Sequence, residues 1–372
     1  MGQRYDYLGF VKGEVPRSYF TFMGYAVCIF VWMWVVTGAT GFVGYHFLGW
    51  WWEAGRPFPL RLLVRKPDHP YLKPYYGHLE IYRADLARED RFHEAVRGAE
   101  GILHIAATIS FSPRARSYMQ RTNVLATRYL VNAALEENVP KFIYLSSIAA
   151  LGRPADLQSP IDENTTWTDS PYNTWYGYTK YAGEKEVWRG HAEGLSVFIL
   201  NPGIILGPYP DWTKGSPYFF KAIWQGLRFY PKGINGFVGV QDVVSAIAWA
   251  IAHHPTGWDE RYIAVAENLS YRQVFTWIAE ALGKRPPNWP LPPTLAYALG
   301  WTMEKLHKIL GLPAVITRET ARTSSQNFHY DGSKLAKRTG RPYTPIREVI
   351  AQTAKVFLSS HGDSAQRRAA AV

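Results

Sequence analysis

Short apolar runs alternate with longer amphipathic stretches from residue 33 onward. The runs are rich in Val, Ile and Leu without clean alternation, which is typical of a parallel sheet covered on both faces. They predict strands at Met33–Thr37, Leu60–Val64, Leu79–Tyr82, Gly101–Ala106, Lys141–Leu145 and Leu195–Leu200. The stretches between them predict helices at Phe42–Glu53, Arg88–Val96, Tyr118–Glu137 and Tyr176–Ala192. This order predicts an α/β fold with a doubly wound parallel sheet.

The regular pattern ends at about residue 203, and Pro and Gly punctuate the chain as far as residue 237. Apolar periodicity then predicts helices at Gln241–Ala252, Tyr271–Leu282 and Pro293–Leu310. We therefore expect a smaller, partly helical second region over 203–358, with a strand and a helix returning to the first domain near 237–255. Small polar residues over 359–372 predict a flexible tail.

The N-terminal segment is open to more than one interpretation. Its uncharged run of 18 residues, Tyr19–Val36, approaches the length of a membrane-spanning helix. Because Met33–Thr37 is needed as the first strand, only the 14 residues Tyr19–Trp32 remain, which is short for a span. Residues 1–32 are therefore expected to be either a membrane-contacting segment or an extension, unstructured or from a mis-assigned start, before the first strand.

Three adjacent tryptophans, Trp50 to Trp52, lie in the first predicted helix. Consecutive helical side chains point about 100° apart, so the three cannot all face one core. We expect at least one of them to be exposed or to be covered by the N-terminal segment, a second subunit or a membrane surface, where Trp is favoured.

Composition narrows the class of protein. Of 372 residues, 47% are hydrophobic and 19% are charged, which excludes a disordered or fibrous protein. The single cysteine, Cys28, excludes an intrachain disulfide framework and fits a reducing compartment. A net charge of +11 favours a phosphorylated cofactor, a lipid headgroup or nucleic acid as a partner. The charge is scattered and forms no basic stripe, so no nucleic-acid partner is expected.

A glycine-rich loop follows the first predicted strand and opens the first predicted helix. Thr37–Gly44 has the pattern TGxxGxxG. Gly38 would permit the tight turn, Gly41 would let the backbone approach a pyrophosphate, and Gly44 would let helix and strand pack closely. Free N–H groups and the helix dipole at the start of the helix favour phosphate there. The loop predicts dinucleotide binding by a domain spanning 33–202.

The end of the second predicted strand bears on which dinucleotide is bound. In many such folds an acidic residue about 20 positions beyond the glycines grips the ribose hydroxyls of NAD. Here the chain has Val64, Arg65 and Lys66 in that place, and no acid follows before Asp68. Arg65 suits the 2′-phosphate of NADP, so we expect NADP(H) to be preferred, with NAD(H) as the alternative.

Acid–base chemistry is indicated by a tyrosine and a lysine four residues apart. Tyr176 and Lys180 share one face of a predicted helix. A phenol with a pKa of about 10 is a poor acid–base group at neutral pH, and a neighbouring ammonium favours the phenolate. In the pair Ser146-Ser147, a hydroxyl follows the strand Lys141–Leu145 at the carboxyl edge of the sheet, where doubly wound folds bind ligands.

Together these motifs resemble the extended short-chain dehydrogenase/reductase superfamily, which includes the NAD-dependent epimerase/dehydratase family. The resemblance covers about residues 33–355 and implies a Rossmann fold that binds a nicotinamide dinucleotide. The motifs that carry it are TGATGFVG, Asp85-Leu86 after the third strand, His104–Ala107 (HIAA), Asn123 in TNVLAT, the serine pair, and YGYTK from Tyr176 to Lys180.

The resemblance implies a role for each matching residue. Tyr176 is expected to be the general acid/base, Lys180 to bind the nicotinamide ribose and tune Tyr176, and Ser147 to orient the substrate oxygen. Asn123 is expected either to join a proton relay or to be a buried, helix-stabilising amide. The implied cofactor-binding set is Gly38, Thr40, Gly41, Phe42, Val43, Gly44, Arg65, Asp85, Leu86, Ala106, Tyr176, Lys180, Pro202 and Gly203.

Two features favour one branch of the superfamily. Sugar-nucleotide dehydratases carry acidic residues directly after the active-site hydroxyl residue, whereas three apolar residues (148–150) follow Ser147. The stretches Asn201–Pro208 and Gly233–Val244 resemble the dihydroflavonol 4-reductase and 3β-hydroxysteroid dehydrogenase-like branch. Asn201 departs from the family, which commonly has Arg before this Pro, so the contacts of the nicotinamide-side loop are left open.

The leading hypothesis is an NADP(H)-dependent oxidoreductase that interconverts a secondary alcohol and a ketone on a small, fairly apolar substrate. A nucleotide-sugar epimerase with tightly bound NAD is the first alternative, although no Arg of the kind that grips a nucleotide diphosphate shortly follows Gly207-Pro208. The second alternative is a cofactor-binding subunit without chemistry, which the intact Ser147, Tyr176 and Lys180 disfavour.

Several further expectations concern partners and location. No HExxH, GxSxG or CxxC motif occurs, so no metal site is expected, and His253-His254 is expected to be a surface helix cap. We expect a cytoplasmic protein. Peripheral membrane contact through residues 19–32 and a homodimer are both left open.

Overall fold

The computed structural model describes residues 33–153, 159–292, 294 and 318–369. Twelve strands lie in these ranges: β1 (Trp34–Thr37), β2 (Leu60–Val64), β3 (Glu80–Arg83), β4 (Gly101–His104), β5 (Lys141–Leu145), β6 (Ser196–Pro202), β7 (Ile204–Leu206), β8 (Phe229–Tyr230), β9 (Ile234–Gly239), β10 (Glu260–Ala264), β11 (Glu267–Ser270) and β12 (Trp289–Pro290). Each of the first six predicted strands is found within two residues of its expected ends.

Seven of these strands form one sheet with the order β3-β2-β1-β4-β5-β6-β10, and every neighbouring pair is parallel. The order reverses between β1 and β4, which is the switch point where doubly wound folds bind ligands. The predicted fold class is confirmed.

Helices flank this sheet and form much of the second region. Within the described residues they are α1 (Phe42–Glu53), α2 (His93–Val96), α3 (Arg116–Met119), α4 (Ala126–Glu136), α5 (Trp175–Ala192), α6 (Tyr218–Trp224), α7 (Val240–Ala252), α8 (Tyr271–Ala281), α9 (Arg318–Thr323), α10 (Ser333–Thr339) and α11 (Ile346–Ala369). The predicted helix Pro293–Leu310 lies outside the described residues, apart from residue 294.

Two predicted helices differ from what the structure shows. The expected helix Arg88–Val96 is reduced to α2, because side chains before it hydrogen-bond the backbone in turns: Asp85 accepts from the Ala87 N–H at 3.0 Å. The expected helix Tyr118–Glu137 exists as α3 and α4, but a π-helical segment, Gln120–Leu125, joins them. Such segments place an extra residue in one turn and are frequent at functional sites.

Both faces of the sheet are buried under helices. On one face, Trp34, Phe47 and Trp51 pack with residues of α7 such as Val243 and Ile247, and each of these side chains is at most 2% exposed. On the other face, a second apolar cluster joins the sheet to α2, α4 and α5 through Ala95, Leu130, Phe142, Val187 and Val197. Two-sided burial explains why the strands are continuously apolar.

The second region is a three-stranded sheet, β11-β9-β7, packed with α6, α8 and α11 around Phe220, Phe237, Phe275 and Phe357. The chain returns to the first domain through α7 and then β10, which becomes the outermost strand beside β6. The last helix continues into the tail that we expected to be flexible from residue 359, and it is helical as far as Ala369.

Each of the three adjacent tryptophans is at least half-buried. Trp51 is 1% exposed, and its indole N–H donates to the Phe58 carbonyl at 2.7 Å. Trp50 and Trp52 lie partly buried at the edge of the same core, and the Trp52 ring also contacts Tyr75. The N-terminal segment, one of the covers expected for a tryptophan, lies outside the described residues.

The segment predicted to contact a membrane, Tyr19–Trp32, lies outside the described residues. Among the helices that the structure describes, none has the length and hydropathy needed to span a bilayer.

Candidate active site

The glycine loop joins β1 to α1 through two very close backbone contacts. Gly38 has a φ of +76°, and a Cβ there would stand 2.6 Å from the Ala106 backbone nitrogen. A Cβ on Gly44 would stand 2.2 Å from the Gly38 carbonyl oxygen, so only glycine lets the helix lie against the loop. At Gly41 the nearest atom to a Cβ would be that same oxygen at 3.3 Å, and the space beyond it is open.

The start of α1 has the character of an anion site. Gly41 is the N-cap of this 12-residue helix and supplies no side-chain acceptor, so the N–H groups of the first turn, from Phe42 and Val43 onward, are available to a ligand. The open side of Gly41 lets an anion approach these groups. The loop therefore fits the pyrophosphate of a dinucleotide.

Two residues that sequence reasoning missed hold the glycine loop against the loop after β7. The Tyr209 hydroxyl donates to the Thr40 carbonyl at 2.9 Å, and His46 Nε2 lies 2.6 Å from the Pro208 carbonyl oxygen. Burial lowers the pKa of His46 to about 4, so the ring is neutral and Nε2 carries the donated proton. The Gly207-Pro208 motif is visible in the sequence, but no spacing rule links it to His46.

The sheet order brings the proposed adenosine-binding residues to one edge. Arg65 follows β2, Asp85 and Leu86 follow β3, and Ala106 follows β4. The Ala106 backbone N–H donates to the Thr37 hydroxyl oxygen at 3.2 Å. The exposed Arg65 guanidinium donates from Nη1 to the Tyr118 hydroxyl at 2.9 Å. The sequence singled out Arg65, whereas Tyr118, on α3, carries no signal of its own.

Ser147 and Tyr176 meet where β5 ends and α5 begins. Ser147 caps a short 3-10 turn, and its Oγ accepts from the Ala149 N–H at 3.1 Å. Interaction with the Ser147 hydroxyl by itself lowers the pKa of the Tyr176 phenol. Burial acts more strongly and raises the pKa of Tyr176 to about 12, so the phenol is protonated at neutral pH.

Lys180 lies one turn further along α5 and is completely buried. Its Nζ donates to the Leu145 carbonyl at 2.6 Å and stands 4.2 Å from the centre of the Tyr144 ring. Burial lowers the pKa of Lys180 to about 7, and the Glu184 carboxylate partly opposes that change. We expected Lys180 to lower the pKa of Tyr176. In this structure the Nζ of Lys180 is directed at the end of β5, and the group that lowers the pKa of Tyr176 is the Ser147 hydroxyl.

Asn123 lies in the π-helical segment with its side-chain amide fully hydrogen-bonded. Nδ2 donates to the Thr108 carbonyl at 2.9 Å and to Thr179 Oγ1 at 3.0 Å. Oδ1 accepts from the Thr108 N–H at 2.8 Å and from Thr122 Oγ1 at 3.1 Å. These four contacts saturate the amide and tie the loop after β4 to α5. Of the two roles left open for Asn123, this geometry favours the stabilising amide.

The loop tied by Asn123 carries apolar side chains beside the tyrosine. Phe111 packs its edge toward the Tyr176 ring, with centroids 6.4 Å apart. Ile109, two residues earlier, is 63% exposed, which is high for a large aliphatic side chain. These residues form an apolar border to the site that sequence reasoning had not assigned.

The end of β6 contains the departure from the family pattern. Asn201 is fully buried, and its Nδ2 donates to the Ser147 carbonyl at 3.0 Å and to Glu184 Oε2 at 2.9 Å. Pro202 ends the strand, and a Cβ on Gly203 would stand 2.5 Å from the Gly236 carbonyl oxygen. The two cofactor-binding candidates therefore lie where the chain passes between the two sheets.

The histidine pair that was expected to cap a helix lies away from this site. His253 is the residue after α7, and its Nδ1 lies 2.9 Å from the Trp249 carbonyl oxygen. Its ring also stacks on Trp249 at 4.8 Å. Over the residues with described positions, no three His, Cys, Asp or Glu side chains gather in a way that could hold a metal ion.

Comparison with known proteins identifies the family. The sequence model of the NAD dependent epimerase/dehydratase family matches residues 34–266, which is more than half of the chain. That range includes the glycine loop, Ser147, Tyr176 and Lys180.

Two curated relatives match nearly end to end. The chain is 27% identical over 333 residues to a putative dihydroflavonol 4-reductase of Synechocystis, a match covering 88% of this chain and 94% of the relative. It is 26% identical over 335 residues to cinnamoyl-CoA reductase 1 of Petunia hybrida, covering 86% and 90% of the two chains. The predicted resemblance to the dihydroflavonol 4-reductase branch is confirmed.

A solved structure gives the same result for the fold. The crystal structure of gox2253 superposes with a TM-score of 0.71 at 30% sequence identity, covering 89% of this chain and 99% of that one. The similarity therefore extends through both the parallel sheet and the second region.

Proposed function

We propose that this chain, which belongs to the NAD dependent epimerase/dehydratase family, is an NADP(H)-dependent oxidoreductase that interconverts a secondary alcohol and a ketone. The observation that carries the proposal is the placement of Ser147, directly after β5, and of Tyr176, in the first turn of α5 and protonated at neutral pH, at the carboxyl edge of the sheet. This edge also holds the glycine loop, so a proton donor and a dinucleotide site share one side of the fold.

In this proposal the nicotinamide supplies or accepts the hydride, and the chain's own residues position the substrate and move the proton. Ser147 and Tyr176 together bind the substrate oxygen, which fixes the carbonyl relative to the cofactor. During reduction Tyr176 gives its phenolic proton to the developing alkoxide, a role that suits a group that is protonated at neutral pH. The Lys180 ammonium, one turn further along α5, binds the nicotinamide ribose.

A preference for NADP(H) is proposed from Arg65. Its guanidinium lies exposed at the end of β2, the position from which doubly wound folds contact the adenosine ribose. No acid stands there to bind a free 2′-hydroxyl, and guanidinium groups suit phosphate oxygens. NAD(H) is the alternative.

A fairly apolar ketone or alcohol is the proposed substrate class. Phe111 beside Tyr176 and the exposed Ile109 support it, because both present apolar surface at the border of the site. The two relatives reported above are both named reductases, which supports reduction as the direction of the reaction.

The test is NADPH oxidation by the purified protein against a panel of steroid, flavonoid, aliphatic and sugar ketones. We expect oxidation only when a ketone is present, and we expect the protein to release its cofactor on dialysis. A protein that purifies with firmly held NAD and isomerises a nucleotide sugar would instead be an epimerase. A protein that binds cofactor but turns over none of these classes would contradict the proposal.

A further inference from the structure

One buried carboxylate beside the site is not used in the proposed chemistry. Glu184 lies one turn after Lys180 on α5, and its side chain is 3% exposed. Its Oε2 accepts from Ser146 Oγ at 2.7 Å and from Asn201 Nδ2 at 2.9 Å, while Oε1 is paired with Arg261 Nη1 at 3.1 Å. A carboxylate at this depth is strongly unfavourable unless it is both paired and hydrogen-bonded. In Glu184, Oε1 is paired with a cation and Oε2 accepts two hydrogen bonds.

Glu184 belongs to a set of contacts that hold three consecutive residues, 145 to 147. Each of the three is bound by a different side chain, and all three side chains come from α5 or β6. The contacts are Lys180 Nζ to the Leu145 carbonyl at 2.6 Å, Ser146 Oγ to Glu184 Oε2 at 2.7 Å, and Asn201 Nδ2 to the Ser147 carbonyl at 3.0 Å. These three contacts fix the position of the segment that carries the Ser147 hydroxyl.

The cation that pairs with Glu184 comes from an unexpected strand. Arg261 lies on β10, which neighbours β6, and Ile263 of β10 is the register partner of Asn201. The guanidinium is held in place by the Glu163 carbonyl at 2.7 Å as well as by Glu184. Arg261 therefore reaches Glu184 from the strand that pairs with Asn201.

We propose that Arg261 is a positioning residue for the active site. By pairing with Glu184 it keeps that carboxylate bound to Ser146 and Asn201, and these hold Ser147 within reach of Tyr176. Without Arg261, Glu184 would be a buried charge that has lost its direct ion-pair partner, and it would move toward water or draw water in. The inference rests on the proposed function, because Ser147 matters to catalysis only if the Ser-Tyr-Lys chemistry operates.

The experiment compares Arg261→Met, Arg261→Lys and a control, Arg338→Met. Arg338 pairs with Glu260, also on β10, at a similar N–O distance of 3.0 Å, but that pair lies at the surface. Three quantities are measured: kcat for NADPH-dependent ketone reduction, the Kd for NADPH from fluorescence, and backbone hydrogen exchange by mass spectrometry.

For Arg261→Met we expect kcat to fall about 10-fold or more, while the Kd for NADPH changes less than about 3-fold, because the glycine loop is untouched. Hydrogen exchange should rise in peptides covering 142–152 more than elsewhere in the sheet. Arg261→Lys keeps the charge and should restore kcat to within about 3-fold of the wild type. Arg338→Met should change none of these quantities.

The comparison of Met with Lys at position 261 decides whether the charge at this position holds the segment. An Arg261→Met protein that melts at a lower temperature but keeps its kcat would overturn the inference, as would Lys behaving like Met.

Hydrogen exchange separates this inference from the proposed function. A wild-type protein that reduces no ketone would contradict the proposed function, yet exchange over 142–152 would still report whether Arg261 holds the segment. If exchange there is unchanged in Arg261→Met, the positioning role is wrong whatever the reaction is.

Discussion

The glycine loop and the serine segment face the same edge of the sheet but are built in different ways. In the loop, Gly38 and Gly44 lie within one run of eight residues, and the critical contacts are between backbone atoms. In the segment 145–147, the contacts come from side chains on α5 and β6, whose cation is provided by β10. A site for a common cofactor is therefore encoded locally, whereas the catalytic segment depends on residues far apart in the sequence.

This difference has consequences for which substitutions are tolerated. The loop cannot accept a Cβ at Gly38 or Gly44, because the atoms that it would meet are backbone atoms that cannot move aside. The segment depends instead on side-chain contacts, so the effect of a substitution there depends on which contact it removes. Asn201 and Arg261 both contact Glu184 in this way.

The largest effect is expected on the catalytic side of the comparison, from Tyr176→Phe. The variant removes the only proton that the phenol can transfer and leaves the ring in place, so kcat should fall about 100-fold or more. The Kd for NADPH should be nearly unchanged, because the glycine loop is not altered. Tyr178→Phe, an exposed tyrosine on the same helix, is the matched control. More than a tenth of the wild-type kcat in Tyr176→Phe would contradict the assigned role.

Parts of this architecture could be predicted from the sequence because they are local. Continuous apolar runs located the strands, since both faces of the sheet are buried, and TGxxGxxG located the cofactor loop. The pairing of Glu184 with Arg261 could not be foreseen, because the two residues are 77 positions apart and a charged residue on an outer strand has no distinguishing pattern. The π-helical segment around Asn123 was missed for a related reason: one added residue in a turn hardly alters apolar periodicity.

On the cofactor side, Gly44→Ala should have a large effect without touching any catalytic side chain. Its Cβ would stand 2.2 Å from the Gly38 carbonyl oxygen, so α1 or the loop must shift, at a cost of about 2 kcal/mol in stability. We expect the Kd for NADPH to rise about 10-fold or more, as fluorescence titration would show.

Gly49→Ala in the same helix is the control for this substitution, because a Cβ there meets nothing within 4 Å. Alanine favours helix over glycine, so this variant should be as stable as the wild type or about 0.5–1 kcal/mol more stable. If both variants bind NADPH equally well, close packing at Gly44 does not shape the phosphate site.

Arg65→Asp tests whether one exposed residue sets the choice of dinucleotide. The substitution exchanges a phosphate-binding cation for a ribose-binding acid. The ratio of kcat/KM for NADPH to that for NADH should fall about 10-fold or more. Lys73→Asp makes the same change in net charge at an exposed position on another turn and should leave the ratio unchanged. An unaltered ratio in Arg65→Asp would remove the basis for preferring NADP(H).

The pH dependence of ketone reduction should report the burial of Lys180. Its pKa is lowered to about 7 and the proposed role needs the ammonium, so kcat should fall as the pH rises through about 7. Of the groups around it, Tyr176 remains protonated, with a pKa of about 12, and His104 is neutral, with a pKa of about 3. The Tyr144 ring, whose own pKa is raised by burial, adds no charge.

Glu184→Gln sharpens this pH test. It removes the anion that raises the pKa of Lys180, so the midpoint of the kcat profile should move to lower pH. Glu193→Gln, an exposed position just after α5, should leave the midpoint in place. A wild-type profile that is flat from about pH 6 to about pH 9 would mean that the charge of Lys180 is not needed.

The smallest effect is expected from Tyr118→Phe, which removes the hydroxyl that accepts from Arg65 Nη1 at 2.9 Å. A guanidinium held by this hydroxyl loses less freedom when it binds a phosphate, and one such hydrogen bond contributes about 1 kcal/mol. The affinity for 2′,5′-ADP should therefore fall about 3- to 5-fold, with no change for ADP, when both are measured by calorimetry. Tyr129→Phe on α4 is the control. Tighter binding of 2′,5′-ADP would mean instead that Tyr118 competes with the phosphate for Arg65, and the cofactor side would then also depend on a side chain from a distant element.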